Sequence, residues 1–414
     1  MATEMLKQPD SKVPEIRFKG FSENWEVNPI RKILSEIKRP ITLEDNSQYE
    51  LVTVKRRNGG IVSRGYLMGR DILVKNYSQL QTGDFLISKR QVVHGATGIV
   101  PEELNNAIVS NEYLVSIGNN EITTEFLTIL ASLPAMRQQF FLSSYGVDIE
   151  KLFFDAEDWK KRSVTIPSPT EQTEISGYFR ELDRLIELHQ RKHDKLVTLK
   201  KAMLQKMFPQ PGATTPEIRF KGFEGKWAEE KLGKLGTLSK GRGYSKNDLL
   251  AFGTPIVLYG RLYLNYQTEI SYVDTFVTEK NKSVKSIGKE VIIPASGETA
   301  EDIARASAIL VEGIILGGDL NIIYPIKELD SCFLAITLSN GKPQTDLAKR
   351  AQGKTVAHVR KEDIKSISIY YPKLIEQQKI STYFRTLDEL ISKHAIQLQK
   401  LQQIKSACLE KMFV

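Results

Sequence analysis

Arginine, lysine and amide side chains gather in this sequence at positions where loops are expected. Lys55-Arg56-Arg57-Asn58, Arg64 and Lys89-Arg90-Gln91 form one group, and Lys240, Arg242, Tyr244, Lys246, Arg261 and Arg305 form another. Arg and Lys neutralise phosphates and bond guanine edges, while Asn and Gln match adenine. The chemistry on offer is recognition of a polyanion such as DNA or RNA. For any one of these side chains a solvated surface charge is the better reading, so the clusters carry the claim and the individuals do not.

Patterns for bond-making chemistry are sparse. Gly353-Lys354-Thr355 has the look of a phosphate-loop ending, but Ala348 stands where its first glycine belongs. Gly241-Arg242-Gly243 lacks the rest of a dinucleotide fingerprint, and Gly317-Gly318-Asp319 reads as a tight turn between strands. Glu298, Glu301 and Asp302 carry donor oxygens, yet three carboxylates in one loop ordinarily face solvent. Metallopeptidase, CxxC and nucleophile-elbow patterns are absent. No catalytic residue, metal site or bound cofactor is expected.

The elements that position the basic clusters belong to a chain of 414 residues, more than one hydrophobic core usually supports. Its composition, 41% hydrophobic and 26% charged, is that of a soluble protein. The net charge of +8 favours polyanionic partners modestly. The apolar run Ala308–Leu316 is broken by Glu312 and falls short of a membrane span. The first residues, MATEMLKQPDSK, lack the apolar stretch of a secretory signal. Cys332 and Cys408 cannot build a disulfide framework. A reducing cytoplasmic location, away from membranes, is the expectation.

The two halves repeat each other. VPEIRFKGF at Val13–Phe21 returns as TPEIRFKGF at Thr215–Phe223, each followed in step by a tryptophan, Trp25 and Trp227. EQTEISGYFRELDRLI at Glu171–Ile186 returns as EQQKISTYFRTLDELI at Glu376–Ile391. Both copies end alike, at Lys206-Met207-Phe208 and Lys411-Met412-Phe413. Between the repeats the segments show no obvious likeness.

The longer repeats read as helices of about 37 residues, roughly 55 Å long. Ile175, Leu182, Leu196 and Met203 share one heptad position and Tyr178, Leu185 and Leu199 another. In the second copy Ile380, Leu387, Leu401 and Cys408 take the first position, and Tyr383, Leu390 and Ile404 the other. Such stripes can simply cover a helix's own domain, but the length favours a coiled coil between the halves. His189 and His394 interrupt both stripes at the same place, with Lys192 and Gln397 next in the core series. They mark a solvated gap or bend, or a polar layer that fixes register; metal ligation is the weaker alternative, because no further ligands are spaced to join them. Ser168-Pro169-Thr170-Glu171 reads as a capping box, of which only Glu376 survives in the second copy. Pro209 and the following loop stop the first helix. Phe179, Ile186, Phe384 and Ile391 are expected on the helices' outer faces.

The intervening segments read as mixed. Tyr49–Val54, Gly60–Ser63, Asp84–Ser88 and Glu112–Ile117 are expected as strands and Thr124–Phe141 as a helix. In the second segment Pro255–Tyr259, Glu290–Pro294, Ala308–Leu316, Asn321–Tyr324 and Ile367–Tyr371 are expected as strands and Cys332–Ser339 as a helix.

This organisation resembles the specificity subunits of type I restriction-modification systems, over essentially the whole chain. The marks are Glu171-Gln172 with Ile175, Leu182, Asp183 and Ile186, and Glu376-Gln377 with Ile380, Leu387, Asp388 and Ile391. Gly353-Lys354-Thr355-Val356-Ala357-His358-Val359 is similar to the family's closing segment; Tyr145-Gly146-Val147-Asp148 in the first half diverges from it. The resemblance implies an α+β fold with a pseudo-two-fold internal repeat: two globular mixed α/β target-recognition domains joined by two long antiparallel coiled-coil helices. The domains would be residues 1–165 (lead-in 13–33) and 216–371 (lead-in 215–235), with helices at 166–208 and 372–413 and a linker at 209–215. It further implies a non-catalytic subunit in which each domain recognises half of a split DNA target. Two methyltransferase subunits using S-adenosylmethionine, and through them restriction subunits using ATP and Mg, would be the partners. A protein–protein scaffold, or a DNA-modifying enzyme carrying its own specificity domains, is the alternative; the latter requires a methyl-donor loop and an Asn-Pro-Pro-Tyr-like motif that this chain lacks.

Overall fold

The computed structural model describes residues 13–73, 76–351 and 357–414. They form two compact units: one runs to Leu188 and takes in Leu398–Val414, and the other is His189–Gln397. The sequence expectations for residues 1–12 and for Gly353-Lys354-Thr355-Val356 lie outside the described residues.

Each unit is closed by the same seam. Glu26–Pro29 pairs antiparallel with Ser163–Ile166, and Ala228–Lys231 pairs antiparallel with Ser368–Tyr371. Within the seam of the first unit, one sheet has the order Pro40–Ile41, Tyr77–Gln79, Ile108–Ser110, Gln48–Val54, Ile61–Met68, and a second has Leu34–Glu36, Tyr113–Gly118, Phe85–Ser88, Thr97–Ile99. The second unit has a sheet ordered Gly236–Lys240, Leu320–Pro325, Val291–Pro294, Ser307–Ile309, Glu269–Ile270, beside another ordered Phe276–Val277, Thr254–Val257, Glu312–Leu316, Lys285–Ile287.

Three element expectations need correction. Thr124–Phe141 is two helices, Thr124–Ser132 and Pro134–Leu142. Pro134 disfavours helical backbone at the residue before it, and Leu133 is extended, with φ −73° and ψ 149°. Ala308–Leu316 is two strands, Ser307–Ile309 and Glu312–Leu316, because the chain switches from one sheet to the other between them. Gly60–Ser63 is only the beginning of the eight-residue strand Ile61–Met68. The remaining elements shift by a residue or two at their ends.

The long helices are Pro169–Lys206 and Leu374–Lys411, 38 residues each, or about 57 Å at 1.5 Å per residue. The start of one and the end of the other lie antiparallel within each unit. Leu401, Ile404 and Cys408 pack against the core that holds Ile175, Phe179 and Leu182. Leu196 and Met203 pack against the core that holds Ile380, Phe384 and Leu387. Phe413 completes an aromatic group with Trp25, Phe126 and Phe179, as Phe208 does with Trp227, Phe333 and Phe384. Phe179 and Phe384 are therefore interior, not outward-facing; the helix face that looked free in sequence is the one laid on the globular core. Ile186 and Ile391 are half-buried.

The repeated lead-in is a clasp on this helix pair. Glu15 pairs with Lys411 and Glu217 with Lys206. The amides of Ile16 and Ile218 donate to the carbonyls of Lys411 and Lys206, occupying acceptors that a helix end leaves unused. Arg17 forks onto Glu171 at 2.6 and 2.7 Å, and Arg219 onto Glu376 at the same distances. Phe18 meets Tyr178 edge-on, and Phe220 meets Tyr383. The Glu171 carboxylate is thus committed to Arg17, so the expected capping box lacks its return arm; Ser168 Oγ accepts only a long 3.5 Å bond from the Glu171 amide. Gln172 and Gln377 are buried brackets. Gln172 Nε2 donates to the carbonyls of Glu121 and Pro167 while its Oε1 accepts from the Thr123 amide. Gln377 repeats this with Glu328, Pro372 and Asp330.

Candidate nucleic-acid interface

In the first unit the turn between Gln48–Val54 and Ile61–Met68 carries Lys55, Arg56, Arg57 and Asn58, all exposed. Arg57 and Asn58 sit at φ 60° and 56°, a left-handed pair held by amide bonds to the carbonyls of His94 and Gly95 at 2.8 Å. Gly95 is favoured there by its left-handed φ of 73°. This contact draws in Lys89, Arg90 and Gln91, which end the strand Phe85–Ser88. Lys89 Nζ donates to the Asn111 carbonyl at 2.9 Å, and Arg90 pairs with Glu112 at 2.7 Å. The Arg90 guanidinium also lies 5.3 Å over the Phe153 ring. Gln91 is half-buried, with Oε1 enclosed and unpartnered. Arg64 stands apart as the extra residue of a bulge, between Ser63 opposite Val52 and Gly65 opposite Leu51.

In the second unit Lys240, Arg242 and Lys246 are exposed on one loop. The loop packs backbone to backbone on Gly317-Gly318, with the Gly318 amide donating to the Gly243 carbonyl at 2.6 Å. A Cβ on Gly241 would approach the Gly317 carbonyl oxygen to 1.8 Å, so glycine is obligatory. Tyr244 is the loop's anchor: its hydroxyl accepts from the Lys280 amide at 2.6 Å, and Lys280 Nζ sits 4.8 Å over its ring. Arg261 and Arg305 form a separate group. Arg261 is occupied internally by Asp274 at 2.8 Å, Gln267 and the Tyr272 carbonyl, and it holds the Asp274 carboxyl below its ordinary range. The Arg305 guanidinium lies 5.8 Å over the neighbouring Tyr266 ring.

His189 Nδ1 and His394 Nδ1 lie 2.9 Å apart within the second unit. One ring must donate and the other accept, so at least one is neutral at that nitrogen. Burial, then the charges of His189, Lys192, Lys393 and His193, push His394 below the ordinary histidine value. Lys192 and Gln397, next in the stripes, are exposed, as are Leu199 and Leu390, each 38%. Elsewhere along the stripes Ile175, Leu182, Ile380 and Leu387 are buried, Tyr178, Leu196, Met203, Tyr383, Leu401, Ile404 and Cys408 partly so, and Leu185 half-buried. Among the described residues no three His, Cys, Asp or Glu side chains converge on a metal position, and no helix is long and apolar enough to cross a membrane.

Sequence reasoning passed over Glu150, which pairs with Arg56 at 2.8 Å, Lys280, which meets Tyr244, and the roles of Arg17 and Arg219. For the two arginines a signal existed: EIRF is repeated alongside EQ, and repetition of an arginine with a glutamate is a hint of pairing. Nothing local marks Glu150 or Lys280.

Two mixed sheet modules of like strand order but unlike sequence, each with cation-bearing loops and each clasped by an identical device onto like helices, define a modular recognition protein built by internal repetition. The type I restriction modification DNA specificity domain matches the chain twice, over residues 22–198 and 224–406. The chain belongs to this family: it is a non-catalytic DNA specificity subunit. A protein of Methanocaldococcus jannaschii described as a type I restriction enzyme MjaX specificity subunit is 24% identical over 419 residues, spanning 93% of this chain and 91% of its own. The crystal structure of a type-I restriction-modification system S subunit from M. genitalium is similar in fold, with a TM-score of 0.59 at 14% identity over 97% of this chain and 99% of that one.

Proposed function

We propose that the two variable segments each read one half of a split DNA target, with residues 1–165 and 216–371 as the target-recognition domains and 166–208 and 372–413 as the helices that carry them. The observation behind this reading is the duplicated clasp: Arg17–Glu171 and Arg219–Glu376 fasten to the helices, by the same contacts, two modules of like strand order and unlike sequence. An attachment that is indifferent to the residues of the module it holds lets each reader change without the other. The loop cations Lys55, Arg56, Arg57, Lys89 and Arg90, and Lys240, Arg242 and Lys246, supply the phosphate contacts. The chain itself binds no cofactor. It works in the bacterial cytoplasm with two methyltransferase subunits, which supply S-adenosylmethionine chemistry, and with restriction subunits driven by ATP and Mg. Replacing residues 36–165 by those of another family member, and sequencing methylated adenines in the host genome, tests the reading. One half of the motif should change and the other remain; a change in both, or in neither, refutes it.

A further inference from the structure

The loop that joins Ser144–Tyr145 to Phe153–Phe154 in the first unit presents apolar side chains to solvent. Val147 is fully exposed, Tyr145 is 62% exposed and Ile149 is 54% exposed. Asp148 is extended, at φ −126° and ψ 134°, so Val147 and Ile149 on either side of it share a face. The loop is held rather than loose. Its ends pair as a short antiparallel ladder, the Lys151 amide donates to the Asp148 carbonyl at 2.8 Å, and Asp148 Oδ1 accepts from the Glu150 amide.

Its surroundings carry more positive than negative charge: Lys55, Arg56, Arg57, Lys89, Arg90 and Lys151 against Glu112, Asp148 and Glu150. Glu150 bonds Arg56 at 2.8 Å, the Phe154 amide donates to the Lys89 carbonyl at 2.9 Å, and Arg90 covers Phe153. The apolar tip therefore projects beside both basic clusters of the first unit. An apolar surface displayed on an ordered loop marks a contact site, and the surrounding positive charge selects a polyanion over a protein surface of mixed sign.

We propose that Tyr145 and Val147 enter a groove of duplex DNA and read base edges there, thymine methyl groups being the natural partner for Val147. The neighbouring cations take the flanking phosphates. Glu150 holds Arg56 in place in the free protein, and a phosphate replaces it on binding. This inference rests on the reading of the loop cations as the DNA face.

The test uses the complete chain assembled with its methyltransferase subunits, and a duplex carrying the methylated motif read from the host genome. The variants are Tyr145→Ser, Val147→Ser and the two together; both positions are solvent-facing, so folding, checked by circular dichroism, is expected to be unaffected. Each lost base contact should weaken binding to the motif duplex by about 5- to 150-fold. Binding to an unrelated duplex, and the dependence on salt, should stay as they were, and methylation should relax at one or two positions in one half of the motif. An unchanged motif and affinity in the folded double variant overturns the inference. So does an equal loss on both duplexes, or a loss of methyltransferase binding instead of DNA binding. Lys55→Ala and Arg57→Ala separate the two levels: each should reduce the salt slope by about 0.9. If they do so while the loop variants are silent, the face binds DNA and only the loop assignment falls. If neither set has an effect, the assignment of the face falls with it.

Discussion

Replacing Arg219 by methionine should loosen the lead-in's hold on the start of the second unit's long helix. Glu376 is 1% exposed and receives both of its charge-assisted bonds from Arg219, whose side chain is 18% exposed. Removing the arginine leaves a carboxylate buried without a counter-charge, which costs about 3–5 kcal/mol, whereas replacing both partners by apolar groups of similar volume is near neutral. Arg219→Met alone should therefore be severe, and Arg219→Met with Glu376→Met should recover most of the loss. The first unit supplies an internal comparison. Arg219 Nη1 also donates to the Gly225 carbonyl at 2.6 Å, while Arg17 Nη1 is buried without a partner. One further bond contributes about 1 kcal/mol, so Arg219→Met should exceed Arg17→Met by about that amount. Hydrogen exchange read by mass spectrometry over Leu374–Leu387 and over Pro169–Leu182 reports the two sites separately, and denaturant unfolding gives the scale. A double variant as unstable as the single, or Arg17→Met costing more than Arg219→Met, would refute the reasoning.

Gln172→Ala and Gln377→Ala each remove three bonds from a buried bracket; unpairing those backbone groups should cost about 2–4 kcal/mol, seen as a lower unfolding midpoint, and a shift near zero would show that water replaces the bracket. Gly241→Ala cannot fit against the Gly317 carbonyl at 1.8 Å; it should displace the Lys240–Lys246 loop and weaken DNA binding while leaving the first unit's exchange pattern intact, and unaltered DNA binding would remove that loop from the interface. The histidine pair should make the helix pair sensitive to acid. His394 titrates below its ordinary value of 6.5 in the folded chain, so the unfolded state takes up its proton first as pH falls. The stabilisation is complete above about 6.5 and declines as pH drops toward the folded value. Exchange over His189–Leu196, corrected for its intrinsic pH dependence, should accelerate between pH 7.5 and 5.5, and His189→Leu with His394→Leu should abolish that change. Persistence of the change in the double variant would place its origin elsewhere.

The internal repeat, the two long helices, the two unlike segments between them and, through the EQ…I…LD..I marks, the family are all legible in the order of residues. These are readable because helix periodicity, proline stops and repetition are short-range or self-similar properties of the chain. Its local signals also misled where two meanings share one pattern. Ser168…Glu171 has the spacing of a capping box, yet its glutamate is taken by Arg17, 154 residues away. Phe179 and Phe384 look outward on a heptad wheel because the wheel shows only the partner helix and not the sheet domain behind it. Tertiary structure alone decided which cations are free. Arg261 reads like any loop arginine but is enclosed by Asp274, Gln267 and the Tyr272 carbonyl, while Arg57 and Lys55 remain exposed. It also decided that Tyr145 and Val147 stand beside Lys89 and Arg56. Such meetings depend on which strands pair and where the chain changes sheet, and those choices are settled by burial summed over a whole unit, a quantity that no short stretch of residues contains.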